Sequence, residues 1–429
     1  MINYNSICKN IFLPLIDIAN RTTIKRKLEF LNKSQFWSKK TLEEYQNEKL
    51  RKLIMHAYKN VLYYKELFDK LHIKPIDIKT KKELKKLPIL TKELIRKNFN
   101  KLVAKNPSKM TLYATSGSTG EPMSFYIDKE ADSWKWACEL LGWQWAGYNL
   151  GDKHALLSGN PKRGKKKIKD ILMRCLYLST NKIDNNILKN YLNSIIKQKI
   201  KFVAGYASAI YLLAETAKKN KINYKLNGIV TLGETLFPVH RKLIENTFDC
   251  NVNDTYGLGG EGLIIADQCE KGMYHVHMEN VIVENIENEC IVTGLNNYAM
   301  PLIRYKTGDL IKNSLKKCSC RRNLDCIEEI KGRTSDIIKT PNSLLILQFF
   351  VVLFENIDSV KQFQIMQDKI DSITLNLVVT SKFGRIEEEK IRKSIFKACR
   401  QDINIIINKV NSIPRTKTGK NKFIISNIK

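Results

Sequence analysis

The chain has 429 residues, 43% hydrophobic and 27% charged, which is the composition of a folded protein with a large core and excludes an extended disordered chain. Its 73 basic and 43 acidic side chains leave a net charge of +30. The lysines are spread along the whole length with no basic tail, so no nucleic-acid partner is expected, while a peripheral contact with an anionic membrane stays open. Ten cysteines in a chain of this length fit reduced thiols or a metal site better than a disulfide scaffold.

The apolar run from Ile11 to Ile16 is too short to span a bilayer and lacks a small-residue cleavage site. The expected location is therefore the cytoplasm. Residues 41 to 71 read as an amphipathic helix, with capping-box spacing at Thr41 and Glu44 and an apolar stripe through Leu50, Leu53, Ile54, Ala57, Tyr58 and Val61. Thr80 with Glu83 starts a second helix that stops before Pro88, and Thr91 starts a third. Leu112 to Ala114 and Met123 to Ile127 read as two strands of a hairpin. Between them lies Thr115-Ser116-Gly117-Ser118-Thr119-Gly120-Glu121-Pro122, a loop whose backbone N–H groups and hydroxyls suit a polyphosphate. The Gly-Lys-Ser/Thr ending of a Walker loop is missing, and a Ser/Thr/Gly run alone is most often a solvated loop.

Trp134, Cys138, Leu141 and Trp145 then fall at helical spacing, which reads as a buried aromatic helix in preference to a wall for an acyl substrate. The basic segment 162–167 could meet phosphate groups, although a solvated loop is the commoner outcome. From residue 185 to 255 short apolar strands alternate with amphipathic helices, the pattern of a parallel sheet in an α/β layer fold, where ligands sit beyond the carboxyl ends of the strands. Gly233-Glu234 and the stretch Asp254-Thr255-Tyr256-Gly257-Leu258-Gly259-Gly260-Glu261-Gly262 are expected to follow two such strands. An aromatic, glycines and an acid can stack on a base, admit close backbone approach and offer a carboxylate to Mg²⁺.

These segments resemble, in order, the motifs of the adenylate-forming enzymes: Thr115 to Pro122, Gly233-Glu234, Tyr256-Gly257, the run Arg304-Tyr305-Lys306-Thr307-Gly308-Asp309, Gly332-Arg333-Thr334-Ser335-Asp336, and Pro414 to Lys420. Within that superfamily the chain is most similar to the phenylacetate–CoA ligase branch with its CapK-type proteins. The resemblance implies an α/β fold with a large N-terminal domain of layered subdomains, residues 1–334, and a small mobile α+β C-terminal domain, residues 335–429. It implies ATP, Mg²⁺, a carboxylic-acid substrate and an acyl acceptor, either coenzyme A or a sugar amine or hydroxyl, and a tendency to form homodimers. A basic nucleotide- or membrane-binding scaffold is the reading of another class. Thr115, Ser116, Gly117, Ser118, Thr119 and Gly120 would hold phosphates, and Gly233, Glu234, Tyr256 and Gly257 would lie against the adenine. Asp309 and Arg333 would serve the ribose, Glu261 the Mg²⁺, and Lys420 would reach the α-phosphate and carboxylate from the C-terminal domain. The chain departs from the family pattern at Glu121, where lysine is usual, at the register of Glu261, and at the hinge, where Ser335 precedes Asp336.

Cys269, His275, Cys318 and Cys320 have the spacing of two pairs that can close a tetrahedral Cys3His zinc site, with His277 and Cys326 as rival ligands. Unrelated thiols are an equal alternative. In the branch it resembles, a zinc here would be structural. Beyond Arg333, a strand over Ile373 to Val379, a helix over Ile386 to Cys399 and a strand over Ile403 to Val410 suggest a compact α+β domain.

Overall fold

A computed structural model of the chain describes residues 3–107, 109–114, 123–159, 165–181, 183–314, 316–333, 337–399, 403–414 and 422–428. Residues 4–20 form one continuous helix in three stretches, Tyr4–Ile7, a π-helical Cys8–Phe12, and Leu13–Asn20. Pro14 has no N–H to bond one turn back, and the widened π turn sits directly before it. At the corner that follows, the buried Asp17 carboxylate accepts from the Thr22 hydroxyl and from the backbone N–H groups of Ile24 and Lys25, fixing the start of helix Ile24–Ser34.

The long helix covers Lys39–Asn60, three residues earlier than the capping box at Thr41 implies. Ser38 is the cap, its side chain accepting from Thr41 N at 3.1 Å, and Thr41 falls inside the first turn. An extended Val61 then breaks the expected single helix, and Leu62–Lys70 starts anew. Both helices bury their stripes in the same cluster, Leu50, Leu53, Ile54 and Ala57 from one and Tyr64 and Phe68 from the other. Thr80 and Glu83 form the expected capping box at the head of the 3-10 helix Lys81–Lys86, and Thr91 caps Lys92–Lys97.

Strands β1 (Met110–Ala114) and β2 (Ser124–Asp128) pair antiparallel as a hairpin. Asp128 ends β2 and caps helix Lys129–Trp145, accepting from Ala131 N at 2.8 Å. Trp134, Trp143 and Trp145 of that helix are buried in core clusters, so its aromatics pack the interior and do not line a substrate cleft.

The main sheet has eleven strands: β3 (His154–Ser158), β4 (Cys175–Ser179), β5 (Phe202–Tyr206), β6 (Gly228–Leu232), β7 (Val252–Leu258), β8 (Leu263–Gln268), β9 (Tyr274–Val276), β10 (Val281–Ile286), β11 (Glu289–Gly294), β12 (Tyr305–Asn313) and β13 (Cys326–Arg333). Their spatial order is β10-β11-β12-β13-β9-β8-β7-β6-β5-β3-β4, parallel from β7 through β4 and antiparallel elsewhere. Ala155, Leu157, Val203 and Ile229 meet the helices Asn185–Lys197, Ala207–Lys219 and Pro238–Phe248 on one face. Leu156, Phe202, Ala204 and Val230 meet the N-terminal helix and helix Lys129–Trp145 on the other. Two covered faces explain why these strands read as continuous apolar runs.

A hairpin of β14 (Ile337–Lys339) and β15 (Leu344–Ile346) opens the small C-terminal part. Strands β16 (Val360–Lys369), β17 (Ser372–Val379), β18 (Asn404–Lys409) and β19 (Ile424–Ser426) form a separate sheet of order β18-β17-β16-β19. Helices Leu347–Glu355 and Arg385–Cys399 share its core through Phe350, Phe354, Ile391 and Ile395. The fold is therefore α/β, with a large N-terminal and a small C-terminal domain. The boundary expected between residues 334 and 335, with Ser335 and Asp336, lies outside the described residues. No helix among the described residues is long and apolar enough to cross a membrane.

Candidate nucleotide and metal sites

The carboxyl ends of β5, β6 and β7 lie side by side in the parallel half of the sheet. After β6, Gly233 turns the chain at φ 72°, a conformation that suits a residue without a Cβ. Glu234 follows, and its carboxylate accepts from Ser208 N at 2.9 Å in the first turn of helix Ala207–Lys219. An acid there is favoured by the positive end of the helix.

Asp254 to Leu258 lie within β7, not beyond it as the sequence suggested, because β8 pairs with it from Thr255↔Asp267 to Leu258↔Leu263. The register shifts between Tyr256 and Gly257, and a Cβ on Gly257 would stand 3.1 Å from the Leu263 carbonyl oxygen. A side chain there would crowd β8, and the bulge re-aims the tyrosine before it. Tyr256 is buried and donates its hydroxyl to Asp309 Oδ2 at 2.8 Å. Burial, with Asp309 and Cys290 alongside, holds its phenol well above the ordinary range.

Asp309 sits in β12 directly opposite Arg333 in β13. The same β12 begins with Tyr305, whose hydroxyl donates to Glu261 Oε1 at 3.1 Å. Tyr305, Glu261 and Asp309 are all buried. Just before them Arg304 takes φ 54°, pairs through Nε and Nη2 with both oxygens of Glu284 at 3.1 and 3.0 Å, and donates from Nη1 to the Leu87 carbonyl. Leu90 bonds the backbone on both sides of Tyr305, Leu90 N to Arg304 O and Lys306 N to Leu90 O. The segment around Pro88 is thereby clamped to β12.

The glycine-rich loop, with Thr115, Ser116, Gly117, Ser118, Thr119, Gly120 and Glu121, lies outside the described residues. The strands that flank it in sequence are described. Phe125 of β2 meets Tyr305 edge-on with ring centroids 6.2 Å apart, and a Cβ on Gly262 would stand 2.5 Å from Ile127 Cδ1. The hairpin therefore rests on the residue beside Glu261. Lys420 also lies outside the described residues. Phe423, three positions on, accepts at its carbonyl from Ile365 N at 2.7 Å and packs edge-on against Phe237 at 6.3 Å. Phe237 itself stands three positions after Glu234. A cleft of about 350 Å³ opens here, lined by Thr235, Phe237, Arg241, Tyr274, Gly332 and Leu347.

Asp254, one turn of the pleat before Tyr256, is fully enclosed. Burial pushes its carboxyl up to about 6, against the pull of hydrogen bonds from Thr231 and Tyr274 and the charge of Arg241. The sequence reading missed Tyr305 as a partner of Glu261. It also missed the switch in strand order at β3 and β5, whose connections run in opposite directions. Ser158 and Tyr206 end those two strands, and Tyr177 donates to Ser158 O at 2.7 Å.

The four residues expected for a metal come together. The ligand atoms of Cys269, His275, Cys318 and Cys320 lie within 4.8 Å of one another, with Cys320 Sγ 3.1 Å from His275 Nε2 and Cys269 Sγ 3.6 Å from Cys318 Sγ. Donors on a tetrahedral zinc are about 3.5 to 3.8 Å apart, given Zn–S and Zn–N lengths near 2.3 and 2.0 Å. The donor set fits zinc, with the Cys269–Cys318 separation in that range and the Cys320–His275 separation shorter than it. Burial, with Arg322 nearby, pushes the His275 imidazole down to about 4, which keeps it neutral as a ligand must be, and burial raises the Cys269 thiol to about 12. The rivals are placed otherwise. Cys326 Sγ stands 3.6 Å from His275 Nδ1, on the other ring nitrogen, and His277 Nε2 is 2.6 Å from Asp267 Oδ2 in a fully buried pair.

Comparison with known proteins agrees with this architecture. Residues 337–427 match the family model of the CapK C-terminal domain. The chain is 28% identical to protein CapK of Staphylococcus aureus over 409 residues, covering 90% of each. It is 24% identical to the phenylacetate-coenzyme A ligase of Aromatoleum evansii, covering 90% of this chain and 95% of that protein. Among solved structures, 2-hydroxyisobutyryl-CoA ligase in its postadenylation state, in complex with an acyl-AMP, superposes with a TM-score of 0.70 at 15% identity over 89% of both chains. Its open conformation gives 0.57. The chain is a relative of CapK and of the phenylacetate–CoA ligases, built on the fold of the adenylate-forming ligases.

Proposed function

We propose that this chain is an ATP-dependent, AMP-forming carboxylate ligase. A carboxylate oxygen attacks the α-phosphorus of ATP, the bond to the β-phosphate oxygen breaks, and pyrophosphate leaves. An acceptor then displaces AMP from the mixed anhydride. The observation that supports this best is the buried meeting of Tyr256 with Asp309 and of Tyr305 with Glu261, beside the hairpin that carries the glycine-rich loop. Asp309, oriented by the Tyr256 hydroxyl, accepts from ribose hydroxyls, a task suited to a fixed carboxylate, and Arg333 opposite it assists. Gly233, Glu234 and Gly257 shape the adenine side. Glu261, steadied by Tyr305, would hold Mg²⁺, which neutralises phosphate charge when bound. Thr115, Ser116, Gly117, Ser118, Thr119 and Gly120 cradle the phosphates. Lys420 brings the cation that quenches repulsion between two anions as they approach, delivered by a lid whose Phe423 already reaches Phe237.

The acceptor is coenzyme A by analogy with the ligases of similar sequence, and it enters at the cleft between Phe237 and Leu347. A second reading, from the sequence resemblance to the CapK-type proteins, is transfer to an amine or hydroxyl of a sugar. Cys269, His275, Cys318 and Cys320 would hold a structural zinc that pins β8, β9 and the segment before β13. Pyrophosphate release from ATP, measured over a panel of aromatic, fatty, amino and sugar acids, tests the first step. Release with at least one acid supports the reading. ATP binding with no release across the panel points to a basic nucleotide-binding scaffold instead.

A further inference from the structure

The helix over residues 4–20 turns its buried side, with Cys8, Leu13 and Ile16, into the core. Its outer side is also apolar. Ile11, Leu15 and Ile18 recur at spacings of four and three, and they are 51, 56 and 75% exposed. A second helix, Lys165–Leu172, abuts this one, since Leu172 O accepts from the Tyr4 hydroxyl and the Cys8 thiol and the Arg174 guanidinium stacks on the Tyr4 ring. That helix also leaves two isoleucines outside, Ile168 at 59% and Ile171 at 74%. Among the described residues, five of the fifteen exposed large hydrophobic side chains thus belong to these two neighbouring helices. Scattered exposed hydrophobics need no explanation, but a repeated row on adjoining helices does.

The charge around the two rows is one-sided. Residues 1–28 contain Lys9, Arg21, Lys25, Arg26 and Lys27 against a single acid, Asp17, whose carboxylate is buried and occupied by the corner it caps. Residues 165–175 carry five Lys and Arg against Asp170 alone. Lys27 is paired with Glu130 inside, but Lys9, Arg21 and Arg26 are exposed. An apolar row that is flanked by lysine and arginine is the pattern of a helix lying flat in the headgroup region of an anionic bilayer.

We propose that these two helices dock the protein onto the surface of a membrane containing anionic phospholipid, with Ile11, Leu15, Ile18, Ile168 and Ile171 entering the acyl boundary and the surrounding lysines and arginines meeting phosphate headgroups. Basic residues that surround an apolar row match an anionic lipid surface better than a second copy of the same basic face, which like charge would repel. This face is made by the N-terminal helix and helix Lys165–Leu172, and its five apolar side chains are none of those assigned above to the nucleotide site.

Sedimentation of the full chain with vesicles tests this. Vesicles containing about one-third phosphatidylglycerol should bind it, and neutral phosphatidylcholine vesicles should bind far less. Rising salt should weaken binding, and each of Lys9→Gln, Arg21→Gln and Arg26→Gln should weaken it about fivefold. The variant Ile11→Ser/Leu15→Ser/Ile18→Ser should lose binding while keeping its circular-dichroism melt, as should Ile168→Ser/Ile171→Ser, which leaves the N-terminal helix intact. Absence of binding to anionic vesicles at low salt would overturn the proposal. So would binding that neither isoleucine variant alters, or self-association in solution that those variants abolish, since that would make the face a contact between copies.

Discussion

Tyr256 and Asp309 are 53 positions apart, yet a single 2.8 Å hydrogen bond joins them inside the protein. In the proposed reaction that bond fixes the carboxylate before a ribose arrives. Tyr256→Phe keeps the ring and removes the bond, so kcat/KM for ATP should fall about tenfold and stability by about 1 kcal/mol. An unchanged kcat/KM would remove Tyr256 from the positioning role. Asp254 makes a separate prediction about pH. Its carboxyl is raised from 3.8 to about 6 in the folded chain. A raised folded pKa means that the native state holds the proton longer, so the contribution of this group is full below about 4 and is lost as pH rises through about 6. Denaturant titrations of wild type and Asp254→Asn should therefore diverge, wild type losing about 2 kcal/mol relative to the variant between pH 4 and pH 7. A constant difference across that window would contradict the burial argument. At this scale the sequence was readable where a residue carries its own local signal. Glu234 follows a glycine at a strand end, and Asp309 follows a glycine with φ 84°. Tyr305 was not readable, because a tyrosine opening a strand looks like any core aromatic until Glu261, 44 positions away, is seen beside it.

The elements show the same division between local and distant causes. Helices with one hydroxyl cap, such as Lys92–Lys97 behind Thr91, were legible. At Lys39–Asn60, Ser38 and Thr41 are both good caps at adjoining turns, and only the folded geometry chooses Ser38. Strand β16 escaped the sequence reading altogether because its alternation is masked by glutamines. Gln364 and Gln367 are buried, and they bond backbone groups of neighbouring segments, Gln364 Nε2 to Lys422 O and Gln367 Oε1 to Lys339 N. Polar residues there take over pairing that strands supply elsewhere. The metal cluster was half legible: spacing brought four ligands into view and left His277 and Cys326 as rivals, and Asp267 removes the first of them. The expected outcome is one zinc per chain by elemental analysis of the purified protein. Cys318→Ser/Cys320→Ser should lose the metal and lower Tm by more than about 5 °C, since structural zinc contributes folding free energy directly. Full metal content in that variant would show that other residues hold it.

Across the whole molecule, the two domains meet where Phe423 touches Phe237, and the cleft beside them borders both Glu234 and Arg333 through their chain neighbours Thr235 and Gly332. The pose resembles 2-hydroxyisobutyryl-CoA ligase after adenylation more than its open form, 0.70 against 0.57 in TM-score. Composition, by contrast, gave only the sum of charge, and it does not show that Lys9, Arg21 and Arg26 stand beside the exposed Ile11, Leu15 and Ile18. The central claim is that the first half-reaction makes an acyl-adenylate with Lys420 as the mobile cation. Hydroxylamine trapping measures that intermediate whatever the true acceptor is. The account predicts hydroxamate from wild type with at least one carboxylic acid, and a loss of at least about 100-fold in Lys420→Ala with ATP affinity changed by less than about threefold. Equal hydroxamate formation by Lys420→Ala and wild type would contradict it.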